Sequence, residues 1–186
     1  MTKPTASFSE PLADETSLVS SAQRDPAEFA ALYDRYFRQI YHYLYSRVGS
    51  TAEAEDLTAQ TFLAALETLP RYRHRGHFAA WLFTIARNKT MDFYRNERLH
   101  TPLDENHPDE SGDPLSQAIR TAQIEQLAAL IRKLEEAEQE LLRLRYVADL
   151  SFTEIGVCLG RKEDTVKKTF YRLLARLQHQ LEVSHD

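Results

Sequence analysis

Apolar residues in this chain recur at helical spacing on both sides of one segment that cannot itself be helical, and that interruption limits the folds open to it. From His100 to Pro114 the chain reads HTPLDENHPDESGDP, with three prolines, one glycine and five carboxylates. Proline lacks the backbone donor and clashes with the preceding turn, and a run of like charge with almost no apolar side chain has nothing to bury. The segment reads as a flexible acidic linker. Neither flank alternates with the period of a strand, so the expected fold is all-α, two small helical domains joined by that linker. The expected division is a flexible leader over 1–24, a helical domain over 25–99, the linker over 100–114 and a second helical domain over 115–186.

Composition narrows the class further. Only five of 186 residues are glycine, which disfavours glycine-rich phosphate loops. Cys158 is the single cysteine, so neither an internal disulfide nor a cysteine-based zinc site can form. His74 and His77 have weak metal-pair spacing, with His100 and His107 nearby, but no third ligand is suitably spaced. No cofactor or metal is expected. No apolar run approaches the roughly 20 residues that cross a bilayer. The opening MTKPTASFSEPLADE is polar and acidic, unlike a signal peptide, so the expectation is a cytoplasmic chain without membrane insertion.

Three helices are expected before the linker. Asp25 can N-cap a first, with Pro26 at its first turn, and Phe29, Leu32, Tyr33, Tyr36, Phe37, Ile40, Tyr43 and Leu44 follow at helical spacing until Gly49. Ser50 and Glu53 can box a second, carrying Leu57, Thr61, Phe62, Ala65, Leu66 and Leu69 up to Pro70. After the basic loop RYRHRGHF, a third runs from about Phe78 to Arg98, with Trp81, Leu82, Ile85, Ala86 and Met91 on its inward side. Beyond the linker, helices are expected over about 115–133 and 135–147.

The last segment is the most specific. In SFTEIGVCLGRKEDTVKKTFYRLLARL, Ser151 and Glu154 box a short helix that Gly160 breaks. A second helix starts near Asp164 and packs through Val166, Phe170, Leu173, Leu174 and Leu177. Arg161, Lys162, Thr165, Lys167, Lys168, Thr169 and Arg172 are left for the turn and the other faces. Helix, tight turn and basic helix form a helix-turn-helix, narrow enough for a major groove and charged to meet phosphates. The plainer alternative is a helical hairpin with a solvated basic face.

From about Phe29 to Leu181 the chain resembles the extracytoplasmic-function class of bacterial RNA polymerase sigma factors. The resemblance rests on AEDLTAQTFLAAL (Ala54–Leu66) followed by FAAWLFTIARNKTMDFYR (Phe78–Arg95), and on the C-terminal segment, in that order and spacing. It implies a three-helix region 2 that binds the polymerase core through the helix matching Ala54–Leu66, with Asp56, Leu57, Gln60 and Phe62 as contact or supporting positions. It implies reading of an opened -10 element by the segment holding Arg71, Arg73, Arg75, Arg87, Asn88, Asp92 and Arg95. It implies a region 4 whose helix-turn-helix reads the -35 element as duplex. An anti-sigma factor is an implied inhibitory partner. The chain departs from the family at Thr169, where many members carry arginine, and at Lys168, where a small hydroxyl residue is common. Gly156 stands for a frequent alanine and is expected to weaken its helix slightly.

The formal charge is -5, yet the charges are segregated. Basic residues gather at 71–98 and 161–176, interleaved with Tyr72, Phe83, Phe93 and Tyr94 in the first strip, where bases of opened DNA could stack. Each patch is small for a self-sufficient DNA binder. The expectation is therefore a monomer that reads promoters only on the polymerase core. The linker, stretched to on the order of 50 Å, can span more than one duplex turn. The competing readings are an autonomous helix-turn-helix regulator, which would bind as a dimer, and a nucleic-acid enzyme. No nucleophile, base and orienter assemble in the sequence, so catalysis is not expected.

Overall fold

The computed structural model describes residues 12–73, 76–97 and 124–183. The predicted linker, with His100 and His107, and also His74, Arg75 and Arg98, lies outside the described residues. In order, the helices are α1 (Leu12–Arg24), α2 (Phe29–Val48), α3 (Thr51–Thr68), α4 (Phe78–Glu97), α5 (residues 124–132), α6 (Glu136–Leu142), α7 (Phe152–Leu159) and α8 (Glu163–Val183). There is no strand among the described residues.

Local chemistry sets the boundaries. Asp25 accepts from the Ala27 N–H and opens a 3-10 turn, Pro26–Glu28, that leads into α2. Gly49 ends α2 in the left-handed region at φ 73°, and its N–H donates to the Tyr45 carbonyl at 2.9 Å. The Ser50 hydroxyl then caps α3. A 3-10 turn, Leu69–Arg71, places Pro70 where its missing donor is not needed. Beyond α6 a π turn, Arg143–Val147, carries the chain to α7.

The leader expectation needs correction. Residues 12–24 form α1, and the first domain holds four helices rather than three alone. Val19 and Ala22 are buried against the bundle, and the inward side is completed by a carboxylate, Glu15, at 8% exposure. Glu15 accepts from the Tyr36 hydroxyl and, at 3.2 Å, from the Phe78 N–H. Polar groups on an inward face disguise the apolar period, and here both polar residues facing in, Glu15 and Gln23, have partners. Met91, expected inward, is 51% exposed and lines an open cleft between α4 and α6.

The two domains do not stand apart. One contiguous core runs from Val19 to Leu177. Across the boundary α7 packs on α4, and the π turn packs on α2.

Gly156 also has a role in the turn that helix propensity does not describe. A Cβ there would lie 2.7 Å from the Arg161 carbonyl oxygen, inside contact distance of backbone. The Gly156 carbonyl accepts from the Gly160 N–H and, at 2.8 Å, from the Arg161 N–H, so the bare Cα lets the chain fold back over α7. The glycine costs helix propensity and permits the turn. Replacing Gly156 with valine is expected to destabilise the protein by roughly 1–3 kcal/mol, read as a lower urea midpoint; an unchanged midpoint would show that the turn can move aside.

Candidate nucleic-acid interface

The helix-turn-helix is built as its sequence implies. Ser151 and Glu154 satisfy each other's backbone donors in a complete capping box. Gly160 closes α7 at φ 63°, in the left-handed region. The Thr153 hydroxyl donates to the Glu163 carboxylate at 2.7 Å, tying α7 to the first turn of α8. Val166, Phe170, Leu173 and Leu177 are buried, and this fixes which face α8 turns outward.

That outward face carries Thr165, Lys168 and Arg172, and Arg161 and Lys162 lie in the turn before it, all exposed. Lys167 bonds Glu163 one turn earlier at 2.5 Å, and the Thr169 hydroxyl donates to the Thr165 carbonyl. Hydrogen bonding to Lys167, then to Thr153, lowers the Glu163 pKa, and Glu163 in turn raises that of Lys167. Tyr171 lies 60% exposed beside them.

The first domain supplies a second basic surface. Arg71 and Arg73 are exposed at the start of the basic loop, and Asn88, Asp92 and Arg95 are exposed along α4. Asp92 and Arg95 bond each other at 2.6 Å. Tyr72, Phe78 and Trp81 pack together beneath the loop, with Tyr72 and Trp81 ring centroids 4.5 Å apart. Phe83, expected among the interleaved aromatics, is fully buried against Tyr43.

Arg87 differs from its neighbours. It lies 3.6 Å from Glu140 of α6, across the boundary between domains. Glu140 is buried and accepts from the Tyr43 hydroxyl at 2.6 Å and from the Arg47 guanidinium. Burial, then the Glu140 charge, pushes the Tyr43 phenol well above its ordinary value. Burial opposes the Arg47 charge, but Glu140, Tyr43 and Glu136 outweigh it and raise that pKa. A cleft of about 240 Å³ lies along this seam, lined by Arg47, Arg87, Met91, Glu136, Glu140 and Arg161 among others. Cys158 is buried close by, and its thiol is pushed up to about 11, chiefly by burial, while the Thr84 hydroxyl of α4 pulls the other way.

The predicted core-binding positions divide in two. Asp56 is exposed on α3, and the Gln60 amide donates to its carboxylate at 2.6 Å. Leu57 and Phe62 are buried, Phe62 among the rings of Phe29 and Tyr33, so they support that surface from beneath.

Residues 32–100 match the family described as Sigma-70 region 2, and residues 124–177 match Sigma-70, region 4. The chain is 36% identical over 180 residues to the ECF RNA polymerase sigma factor BldN of Streptomyces coelicolor, covering 90% of this chain and 67% of that one. The chain belongs to the ECF RNA polymerase sigma factors. ShbA of Streptomyces griseus, another ECF sigma factor, is 34% identical over 67% of this chain and 69% of its own. RNA polymerase sigma factor YlaC of Bacillus subtilis is 29% identical over 83% and 92%. Two solved structures share the fold: CnrH in complex with the cytosolic domain of CnrY, and the Bartonella quintana sigma factor RpoE in complex with the anti-sigma factor NepR. CnrH has a TM-score of 0.65 at 23% identity, covering 89% of this chain and 96% of that one. RpoE has a TM-score of 0.64 at 21% identity, covering 84% and 98%. As a sigma factor the chain recognises promoters for RNA polymerase; nothing in these likenesses favours an autonomous regulator. No helix among the described residues is long and apolar enough to cross a membrane.

Sequence reasoning missed Glu140, Arg47 and Tyr43 as a set. In the sequence Glu140 is one of four glutamates in 135–140, although it shares a helical face with Ala137, Leu141 and Leu144. Truncating one member of a buried pair is strongly destabilising; because Glu136 still reaches Arg47 at 3.1 Å, the Glu140→Ala loss is expected to be roughly 3 kcal/mol. In the intact protein Cys158 should resist iodoacetamide at pH 8, and in Glu140→Ala it should react several times faster. Equal alkylation rates would mean that Glu140 does not hold the domains together.

Proposed function

We propose that this sigma factor is closed when free and that the polymerase core opens it. The observation that carries the reading is Arg87, a -10 position held against a buried carboxylate of the other domain. While Glu140 faces Arg87, the charge of that part of the basic strip is met from within the protein.

In the opened form, α8 enters the major groove at the -35 element with Arg161, Lys162, Thr165, Lys167, Lys168, Thr169 and Arg172. Arg71, Arg73, Arg75, Arg87, Asn88 and Arg95 meet the opened -10 strand, and Asp92 orients Arg95 through their shared bond. Asp56 and Gln60 touch the core polymerase, and Leu57 and Phe62 hold their helix in place. The chain makes and breaks no covalent bond; the polymerase does the chemistry. Its place of action is the cytoplasm. RpoE was solved with the anti-sigma factor NepR, and an anti-sigma partner that covers one or both domains suits this chain too.

Transcription in vitro with core polymerase and a promoter pool tests the reading: start sites absent without the chain should appear with it, and none appearing would end it. Lys168→Ala and Arg172→Ala should each reduce the slope of log affinity against log salt by about 1. Free Glu140→Ala should bind single-stranded -10 DNA more tightly than the free parent; equal binding would argue against a closed resting form.

A further inference from the structure

The cleft on the domain seam gathers more positive charge than its acids can meet. Arg47 of α2, Arg87 of α4 and Arg161, in the turn before α8, line it together with Glu136 and Glu140 of α6. Arg143 also reaches Glu136 at 3.1 Å and Glu140 at 4.0 Å, so four guanidiniums stand against two carboxylates. Both acids are already engaged. Glu140 accepts from Tyr43 and Arg47, and Glu136 meets Arg47 and Arg143.

Three of the four arginines keep unmet donors. The Arg47 side chain is 7% exposed, and its Nε is buried without a hydrogen-bond partner. Arg87 stands 3.6 Å from Glu140, too far for a hydrogen bond. Arg161 makes no side-chain hydrogen bond or ion pair among the described residues. A buried donor without a partner is costly, and guanidinium forks match the oxygens of carboxylate and phosphate groups. The walls also limit the size of a guest. The cleft of about 240 Å³ is smaller than the roughly 300 Å³ at which pockets for drug-sized ligands begin. It suits an oxyanion and not a duplex or a nucleotide base. Met91, Ala137 and Leu159 supply an apolar part of the wall, where water screens charge less than in the open.

We propose that this cleft binds a phosphate-class oxyanion between Arg87 and Arg161, and that the bound anion keeps the free chain closed. The inference rests on the reading that the free chain is closed. The oxyanion is inorganic phosphate or the phosphoryl end of a nucleotide; the groups that recognise it are the same. Arg87 belongs to the first domain and Arg161 to the second, so an anion between them is a bridge that opening must break. The closed form binds it and the open form does not, so by mass action the anion shifts the chain toward closure.

The test titrates the full free chain with potassium phosphate at constant pH and ionic strength, balanced with potassium chloride. Melting temperature is expected to rise along a saturating curve, with a dissociation constant on the order of 1 mM. Alkylation of Cys158 by iodoacetamide should slow along the same curve. Arg161→Gln and Arg87→Gln should each weaken phosphate binding about tenfold. Arg161 lies outside the buried network, so Arg161→Gln keeps the fold intact. Arg38→Gln, at an exposed position of α2 outside the cleft, should bind phosphate like the parent. Phosphate also stabilises proteins by exclusion from their surface. A rise that does not saturate, or that is equal in Arg161→Gln, means an adventitious ion only and overturns the proposal. A second arm uses a nucleoside diphosphate: tighter binding than phosphate, weakened in Arg161→Gln, assigns the nucleotide as source, and binding no tighter assigns free phosphate. Cys158 separates the two levels. If, without phosphate, it reacts as fast in the parent as in Glu140→Ala, the closed form falls and the proposal with it. If it is protected and phosphate acts no differently from chloride, only the anion site is refuted.

Discussion

A single buried carboxylate organises the arrangement of the two domains. Glu140 receives the Tyr43 hydroxyl and the Arg47 guanidinium from α2 and faces Arg87 of α4, so one side chain of the second domain neutralises the centre of the first. Charge removed from water must be matched, and here the two hydrogen-bonding partners, Tyr43 and Arg47, lie more than ninety positions away in sequence. The Nε of Arg47 is buried without a hydrogen-bond partner, so this network is not fully satisfied. A seam of that kind holds firmly while intact and is vulnerable as soon as water or another chain enters it.

Most of the helices were legible because their inward faces are apolar and their ends carry chemistry. Phe29 through Leu44 repeat at helical spacing between an aspartate cap and a left-handed glycine, and the structure places α2 there. The capping box at Ser151 and the break at Gly160 were equally plain. Helix α1 was not, because Glu15 and Gln23 occupy its inward side and a polar residue carries no sign of its partner. Only the fold reveals that Phe78 and Tyr72 wait there. Met91 misled for a related reason: a methionine on a helix facing another domain reads from sequence as core.

The basic residues were found as a composition and not as a geometry. The sequence places Arg87 in the same strip as Arg95, whereas the fold turns one toward Glu140 and leaves the other in water beside Asp92. Asp56 and Phe62 were read together as contact or supporting positions, and the structure tells the two apart, one a surface group and the other its foundation. Gly156 carries the same lesson for backbone. Its propensity argues against it, and only the approach of the Arg161 carbonyl explains why a side chain is unwelcome.

The tie from Thr153 through Glu163 to Lys167 has a further consequence. In the groove contact proposed for α8, an acid at the helix's leading edge faces incoming phosphate with the wrong sign, and it occupies a cation that phosphate would otherwise attract. Lys167 must trade one anion for another on arrival, so its net gain is small and depends on alignment. The helix is thereby less adhesive than its lysine count suggests, and a protein that must sample many sequences before settling profits from a surface that lets go easily.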